Sequence, residues 1–498
     1  MIRKISFLFL LRFAKIALSV LSLWLSAKYF GTSIWRDVWL LALNGIVVLD
    51  AAIWGPLNEI FRTKFIFIRE EEGEQQALTK VRSLFFFTCL VSVALVIIVA
   101  CFRDFFVGVL APGFDSKELT SLSLMLLVLI PALLLNQVNL LLNSLLNAYH
   151  SFVIPDIVAF VGTAVNIILL ILLAPVIGIF SLVISYYIGI LLLTGLLVWQ
   201  VFRLKIGLFS NTGPIKFSYF WIFFGFSLPF FYSYFLGQIS AVLEKSLAST
   251  LGVGMVSMVD YGRKFSEMLI TVLLGILMTF LVPSISQHFI RKDYSAFYTD
   301  FRKIYQWGLL IITIFVALFS VIPDSIVRFF YNEDSISVVE LATISRLSSL
   351  YAWGVLVVFL YFVFGMALLS SNNKKKYAYL AVVAQMITIG LNLLLVRHVR
   401  EIAFPVAYIS GHLIGAAFMF IFFPFQIKKL LALTIKYMGM MASVVGILFA
   451  LDCFLPLGLS DVQLIVLYTC VALFSLVLLS AIFRLDEWKY ISRLLKWL

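Results

Sequence analysis

Between two long apolar runs lies VDYGRKFSEM, Val259 to Met268, which sets Asp260, Arg263, Lys264 and Glu267 inside a segment expected to cross a membrane. The spacing is i, i+3, i+4, i+7, so a helix gathers all four charges on one face, with Thr271 extending it. Ionised side chains at bilayer depth cost roughly 3 kcal/mol each, and therefore pair with one another or line a watery cavity. Two chemistries fit. One is a self-neutralised stripe, Asp260 with Lys264 and Arg263 with Glu267, that only locks helix packing. The other is a cavity wall in which Arg263 and Lys264 hold an anion.

Further stripes favour the cavity. Arg12, Lys15, Ser19, Ser22 and Ser26 fall within about 80° of arc at about 100° per residue. Asp37, Asn44, Gly55, Asn58 and Arg62 share one side of the next run, with Glu59 nearby and Pro56 an expected kink. Asp50 lies about 100° from that stripe, either a lone functional carboxylate or the partner of a neighbouring helix. Asn136, Asn139, Asn143 and Asn147 share a face that can equally be interhelical glue. Arg12 and Lys15, with Arg263 and Lys264, would give each half of the chain one basic pair. Such pairs, together with Arg62, suit a doubly charged anion such as pyrophosphate, because charge-assisted contacts strengthen away from bulk water. The carboxylates Asp37, Asp50, Asp260 and Glu267 would hold those cations in place or bind a coupling H⁺ or Na⁺. Ser19, Ser22, Asn44, Asn58, Asn136 and Asn143 would complete a polar lining.

The elements that must position these residues are helices in a bilayer. The chain has 498 residues, 63% hydrophobic and 12% charged, with a mean hydropathy of +1.09. A soluble domain is roughly 45–50% apolar and about 25% charged. Apolar runs of about 20 residues, enough to cross about 30 Å of hydrocarbon, recur from end to end. The reading is an all-α polytopic membrane protein of fourteen helices. Their expected spans are about 5–27, 37–61, 83–102, 119–147, 153–174, 178–202, 217–248, 254–287, 304–331, 340–370, 376–396, 402–426, 432–452 and 462–483. The first run follows Met1-Ile2-Arg3-Lys4 with no small-residue cleavage site, and reads as a retained signal anchor.

Alternate loops and the two ends carry 24 basic residues against 8 in the other loops, which places both termini in the cytoplasm. The net charge of +12 is thus a topology signal, and nucleic acid is not needed to explain it. Four cysteines without CxxC spacing read as small hydrophobes, and four scattered histidines argue against a catalytic metal. EEEGE, Glu70 to Glu74, reads as a solvated loop. GVGMVS reads as a turn, since it lacks the Lys-Ser/Thr of a phosphate loop. With neither a nucleotide site nor a long outer loop bearing acids or histidines, the chain reads as a transporter rather than an enzyme, with no cofactor.

An internal repeat supports this. Aligning Leu145–Gly189 with Ser371–Gly415 without a gap superimposes Asn147 on Asn373, Asn166 on Asn392 and Gly189 on Gly415, at a constant spacing of 226. Gly31 falls opposite Gly252 in a second pair. The organisation expected is an N-lobe over 1–205 (six helices), a C-lobe over 216–427 (six), two helices over 432–484 and a basic tail over 485–498. A parallel repeat of this kind is typical of transporters whose site lies between the halves.

Several segments resemble the MurJ-type lipid II flippases of the multidrug/oligosaccharidyl-lipid/polysaccharide exporter superfamily. They are AKYFGTSIWRDVW, GPLNEIF, LAPGFDSKEL, LLNAYHSFVIPDIVAFVGTAVNI, VSMVDYGRKFSEM and LVPSIS, spread over somewhat more than half the chain. The resemblance implies two six-helix lobes about a cationic cavity, with a lipid-tail groove by the last two helices. It aligns Arg263, Lys264 and Glu267 with an acid, a base and a Glu of the family, and Lys28 with an arginine, which implies that Lys28 joins the cations that bind the substrate's pyrophosphate. Ser22 and Asp50 fall where the family has basic residues. Lipid II and another undecaprenyl-pyrophosphate saccharide therefore both stay open as substrate. The expected function is translocation of such a lipid from the cytoplasmic to the outer leaflet of a bacterial inner membrane by alternating access. The protein would act as a monomer among membrane lipids, with cell-envelope synthesis enzymes as candidate partners. The rivals are a cation-coupled drug antiporter of the same superfamily, a membrane glycan polymerase or ligase, and a scaffold in a wall-synthesis complex.

Overall fold

In a bilayer every backbone N–H and C=O must be satisfied within its own segment, so a chain this apolar folds as helices. The computed structural model describes residues 2–149, 151, 153–209, 213–331, 335–371, 373–423, 427–454, 458–483 and 485. Within these, 2–13, 16, 59, 153–156, 229, 230, 233, 279, 374 and 427 are described by backbone alone. The basic tail, apart from Leu485, lies outside the described residues.

Two compact units divide the chain, Met1–Ser257 and Met258–Leu498. The first contains α1 (Ile2–Phe30), α2 (Ile34–Glu72), α3 (Glu74–Cys101), α4 (Arg103–Leu110), α5 (Ser116–Leu129), α6 (Ala132–Ala148), α7 (Val153–Ile177), α8 (Phe180–Arg203) and α9 (Phe217–Ser249). Its core is built on α2. Trp54, Leu57, Phe61 and Phe65 recur on one face and bury against Leu141 and Leu145 of α6, Leu78 and Val81 of α3, and Phe220 and Phe223 of α9. On another side of the unit α1 packs along α7, and α7 along α8.

Helix α10 (Met255–Ile276) opens at the end of the first unit and runs into the second. The second unit continues with a π-turn (Leu277–Leu281), α11 (Val282–Ile290), α12 (Tyr294–Val321), α13 (Pro323–Phe330), α14 (Val338–Ser370), α15 (Lys374–Val399), a 3₁₀ turn (Arg400–Ile402), α16 (Ala403–Ile421), α17 (Ile427–Phe454) and α18 (Asp461–Ile482). Phe301, Tyr305 and Leu309 of α12 and Phe359, Val363 and Phe364 of α14 form its centre, with the Phe423 ring tilted against Phe301 at 4.7 Å between centres.

Among the described residues nine helical stretches are long and apolar enough to cross a membrane, or ten if the bent pair α5–α6 is one span. The count takes in only residues whose side chains are described. In α1 and α9 these leave Ala17–Phe30 and Phe217–Leu228, each shorter than a span, and α15 and α16 count as one continuous stretch across their 3₁₀ turn. Helix α10 carries four charges in eight residues.

Several expected spans break at proline, which lacks an N–H and crowds the preceding turn. The 119–147 run bends by 41° ahead of α6, with Pro131 at its N-cap. The 304–331 run divides at Pro323 into α12 and α13. The 254–287 run widens into the π-turn just before Pro283. EEEGE is a correction. It is solvated, but α2 runs on through Glu72 and α3 starts at Glu74, with only Gly73 (φ +86°) between them. Glu72 is paired with Lys80. Glu74 accepts from the Tyr149 hydroxyl at 2.6 Å, and burial together with that carboxylate pushes the phenol's pKa up.

Candidate substrate-binding site

In the second unit, α10 presents its charges as one connected group. Arg263 Nε stands 2.9 Å from Glu267 Oε1 as an ion pair, and Lys264 Nζ donates to Glu267 Oε2 at 3.4 Å. One carboxylate therefore holds both cations, where the spacing suggested that Glu267 would serve Arg263 alone. Thr271 donates its hydroxyl to the Glu267 carbonyl at 2.7 Å. Asp260 is half-buried one turn earlier. The side chains of Arg263, Lys264 and Glu267 are 28%, 37% and 41% exposed, so an incoming ion can reach the group.

The guanidinium of Arg263 is braced by aromatic rings from two other helices. It stands 4.9 Å from the ring centre of Tyr408 on α16 and 6.0 Å from that of Tyr351 on α14. Tyr408 in turn packs 4.5 Å from the buried His412, whose Nδ1 lies 2.8 Å from the Tyr408 carbonyl. A cation over such faces gains about 0.5–2 kcal/mol and keeps its planar fork oriented.

Close approach of α10 to α14 makes this possible. A Cβ at Gly262 would stand 2.7 Å from Leu347 Cβ and 3.4 Å from the Ile344 carbonyl and the Ser348 N. Gly262→Ala is expected to cost about 1–3 kcal/mol by overpacking. Thermal unfolding of the purified variant should show a lowered Tm, and an unchanged Tm would refute the close-packed α10–α14 contact.

In the first unit two cavities share Asp50 and Leu140. A cavity of about 410 Å³ is lined by Asp50, Ala51, Gly55, Asn58, Arg62 and Thr63 of α2, Leu140, Ser144 and Asn147 of α6, and Tyr234 of α9. A second, of about 360 Å³, is lined by Val47 and Asp50 of α2, Asn136, Asn139, Leu140 and Asn143 of α6, Ala159 of α7, and Tyr186, Leu193 and Leu197 of α8. Asp50 is thus at the edge of the same broad face as Asn58 and Arg62. Arg62 is twelve residues further on, about 18 Å along the helix axis. Gly55 lets the Tyr234 ring in, since a Cβ there would lie 2.6 Å from it.

The asparagine face of α6 has two uses. Asn136 donates to the Tyr186 hydroxyl at 3.0 Å, Asn139 to the Ile190 carbonyl at 3.3 Å and Asn147 to Asn143 at 3.4 Å. Asn58 exchanges two 3.4 Å hydrogen bonds with the buried Gln137. These amides join α2, α6 and α8 and also line the cavities.

Other expected site residues stand apart. The Arg12 side chain lies outside the described residues. Lys15 is exposed and its carbonyl accepts from Ser19, Ser22 is half-buried, and Lys28 is exposed with its ammonium 5.2 Å from the Trp24 ring. None of these α1 residues lines either cavity above, and neither does Asn44, whose buried Nδ2 has no partner. Asp37 is fully buried at the start of α2. Its carboxylate accepts the Gly254 N–H at 2.7 Å, the Ser257 N–H at 2.8 Å and the Ser257 hydroxyl, which makes it a cap on the opening turn of α10.

Sequence reasoning missed Tyr351 and Tyr408, two tyrosines among many aromatics with nothing in their spacing to single them out. It also missed Gln137, which does carry a signal, as a second amide beside Asn136 in an apolar run.

A family profile described as lipid II flippase MurJ matches residues 26–479. The chain belongs to this family. The match to the MurJ family covers Asp50, Arg62, Arg263 and Lys264, whereas Arg12, Lys15, Ser19 and Ser22 precede it. A probable lipid II flippase MurJ of Buchnera aphidicola subsp. Schizaphis graminum (strain Sg) is 31% identical over 137 residues, 27% of this chain and only 26% of that protein's length. Among solved structures, a lipid II flippase MurJ in an inward-closed conformation has the same fold, with a TM-score of 0.81 at 18% identity over 97% of this chain and 99% of that one. An inward-facing multidrug transporter of the MATE family shares the fold at a TM-score of 0.70 and 13% identity, over 83% and 95% of the two chains.

Proposed function

We propose that this protein is a flippase for a polyprenyl-pyrophosphate-linked saccharide of the lipid II class. It moves its substrate from the cytoplasmic to the outer leaflet of a bacterial inner membrane by alternating access. Membership of the MurJ family supports the substrate class, and the loop charge asymmetry supports cytoplasmic termini. The observation that carries the reading is the reachable Arg263–Lys264 pair on a helix flanked by apolar sequence. A pyrophosphate is met by the five N–H donors of a guanidinium and the three of an ammonium. Glu267, shared between the two cations, keeps them poised and yields contacts when the dianion arrives. The neutral amides beside Arg62 suit the hydroxyls of a sugar or the amides of a peptide. No bond is made or broken.

A drug or cation antiporter would invert this chemistry and favour an acidic cavity. Native mass spectrometry of protein purified in mild detergent is the test. A co-purifying polyprenyl-linked saccharide, flipped by the protein in reconstituted vesicles, is the expected result. Phospholipid alone, with no flipping, would sink the proposal.

A further inference from the structure

The geometry points to Asp50 as the binding group of a monovalent-cation site in the first unit. The cation's occupancy there is coupled to entry of the anionic head group. Asp50 belongs to a membrane-spanning stretch of α2 and is the only acid lining either cavity among the described residues. Its Oδ1 is shut off from solvent and has no hydrogen-bond partner. A carboxylate ionised, unpaired and at membrane depth is the costliest state it can occupy, so a cation must compensate it.

The surroundings supply what such a cation needs. Asn136, Asn139 and Asn143 bring amide oxygens, and Tyr186 a hydroxyl, to the cavity that Asp50 lines. A hard cation takes oxygen ligands of this kind, and Asn139 Oδ1 is itself buried without a partner. The charged or titratable groups that share the two linings with Asp50 are Arg62, Tyr186 and Tyr234. Arg62 is about 18 Å away along α2. Helices α3, α4 and α5, which also pack on α2, put no residue into either lining, and α6 offers only neutral side chains. Nothing else in these linings neutralises Asp50.

Coupling follows from charge. A bare Asp50 repels an anion that enters the cavity it lines together with Arg62, and a proton or Na⁺ on Asp50 removes that repulsion. Each ligand then raises the other's affinity by the same factor, about 5- to 150-fold for couplings of this type. This second half rests on the flippase reading; cation binding itself does not.

The test is thermal unfolding of the full-length protein in detergent without substrate. NaCl is exchanged for choline chloride at fixed ionic strength, and pH is varied from about 5 to about 8 in a separate series, a window spanning carboxylates shifted by burial. Wild type and Asp50→Asn are compared, with Asp50→Ala as a second variant and size exclusion as the folding control. A Na⁺-dependent rise in Tm that weakens at least tenfold in Na⁺ affinity in Asp50→Asn identifies a sodium site. A pH dependence flattened in the variant, with no effect of Na⁺, identifies a proton site. Identical Na⁺ and pH responses in wild type and both variants overturn the proposal, whatever the flipping assay shows. If the cation response depends on Asp50 but no saccharide lipid is flipped, the flippase reading fails and the cation site stands.

Discussion

Arg263→Ala/Lys264→Ala is expected to slow head-group translocation in proteoliposomes by at least about a hundredfold while the protein still inserts in the membrane. Each contact between a charged donor and an anionic group is worth about 1.5–3 kcal/mol. Losing two removes about 3–6 kcal/mol, or roughly 10²- to 10⁴-fold. The double variant also strips Glu267 of both cations that hold it, and a carboxylate left so in a membrane helix would lower stability by itself. Arg263→Gln/Lys264→Gln/Glu267→Gln separates the two effects, because it removes the Glu267 charge together with the two cations that hold it. Its Tm should stay near that of wild type while transport remains lost. Arg263→Lys keeps the charge but gives up the planar fork over Tyr408 and Tyr351, and should fall between the extremes. If the neutral triple variant flips lipid at the wild-type rate, α10 only packs and the anion clamp is wrong.

Much of this architecture is legible in the sequence because membrane physics leaves few options. Apolar runs of span length must be helices, and charges spaced i, i+3, i+4, i+7 must share a face. The α10 stripe could therefore be drawn before any coordinates, down to the Arg263–Glu267 pair. What could not be drawn depends on contacts distant in sequence. Tyr408 lies 145 positions from Arg263, and no periodicity links them. Asp50 looked misplaced by about 100° on an ideal helix. The structure puts it at the edge of a face broad enough to include Asn58 and Arg62. Bends at Pro131 and Pro323 were visible as prolines, but whether a proline kinks a span or divides it is set by packing around it. The α2–α3 boundary failed for the opposite reason. Four glutamates suggest a loop, yet outside the bilayer glutamate is a good helix former, and Gly73 alone suffices to break the helix.

Asp37 caps the opening turn of α10, and its variants give the largest stability effect expected here. Asp37→Ala should destabilise the protein by about 3–5 kcal/mol, since it leaves two N–H groups and a buried hydroxyl at the start of α10 without an acceptor. Asp37→Asn retains one side-chain oxygen and should cost less, about 1–2 kcal/mol. Its Tm should fall between those of wild type and Asp37→Ala. Transport per folded molecule is the discriminating readout. A capping role predicts that Asp37→Asn, expressed at low temperature and corrected for folded fraction, flips lipid at close to the wild-type rate and keeps the wild-type Na⁺ and pH responses. An ion-coupling role predicts the reverse, a stable protein whose gradient dependence is gone. The geometry argues for the first. A fully buried carboxylate already accepting two backbone N–H groups and a hydroxyl has little room for a cation, whereas Asp50, thirteen residues on, has an oxygen with no partner and two polar cavities in front of it.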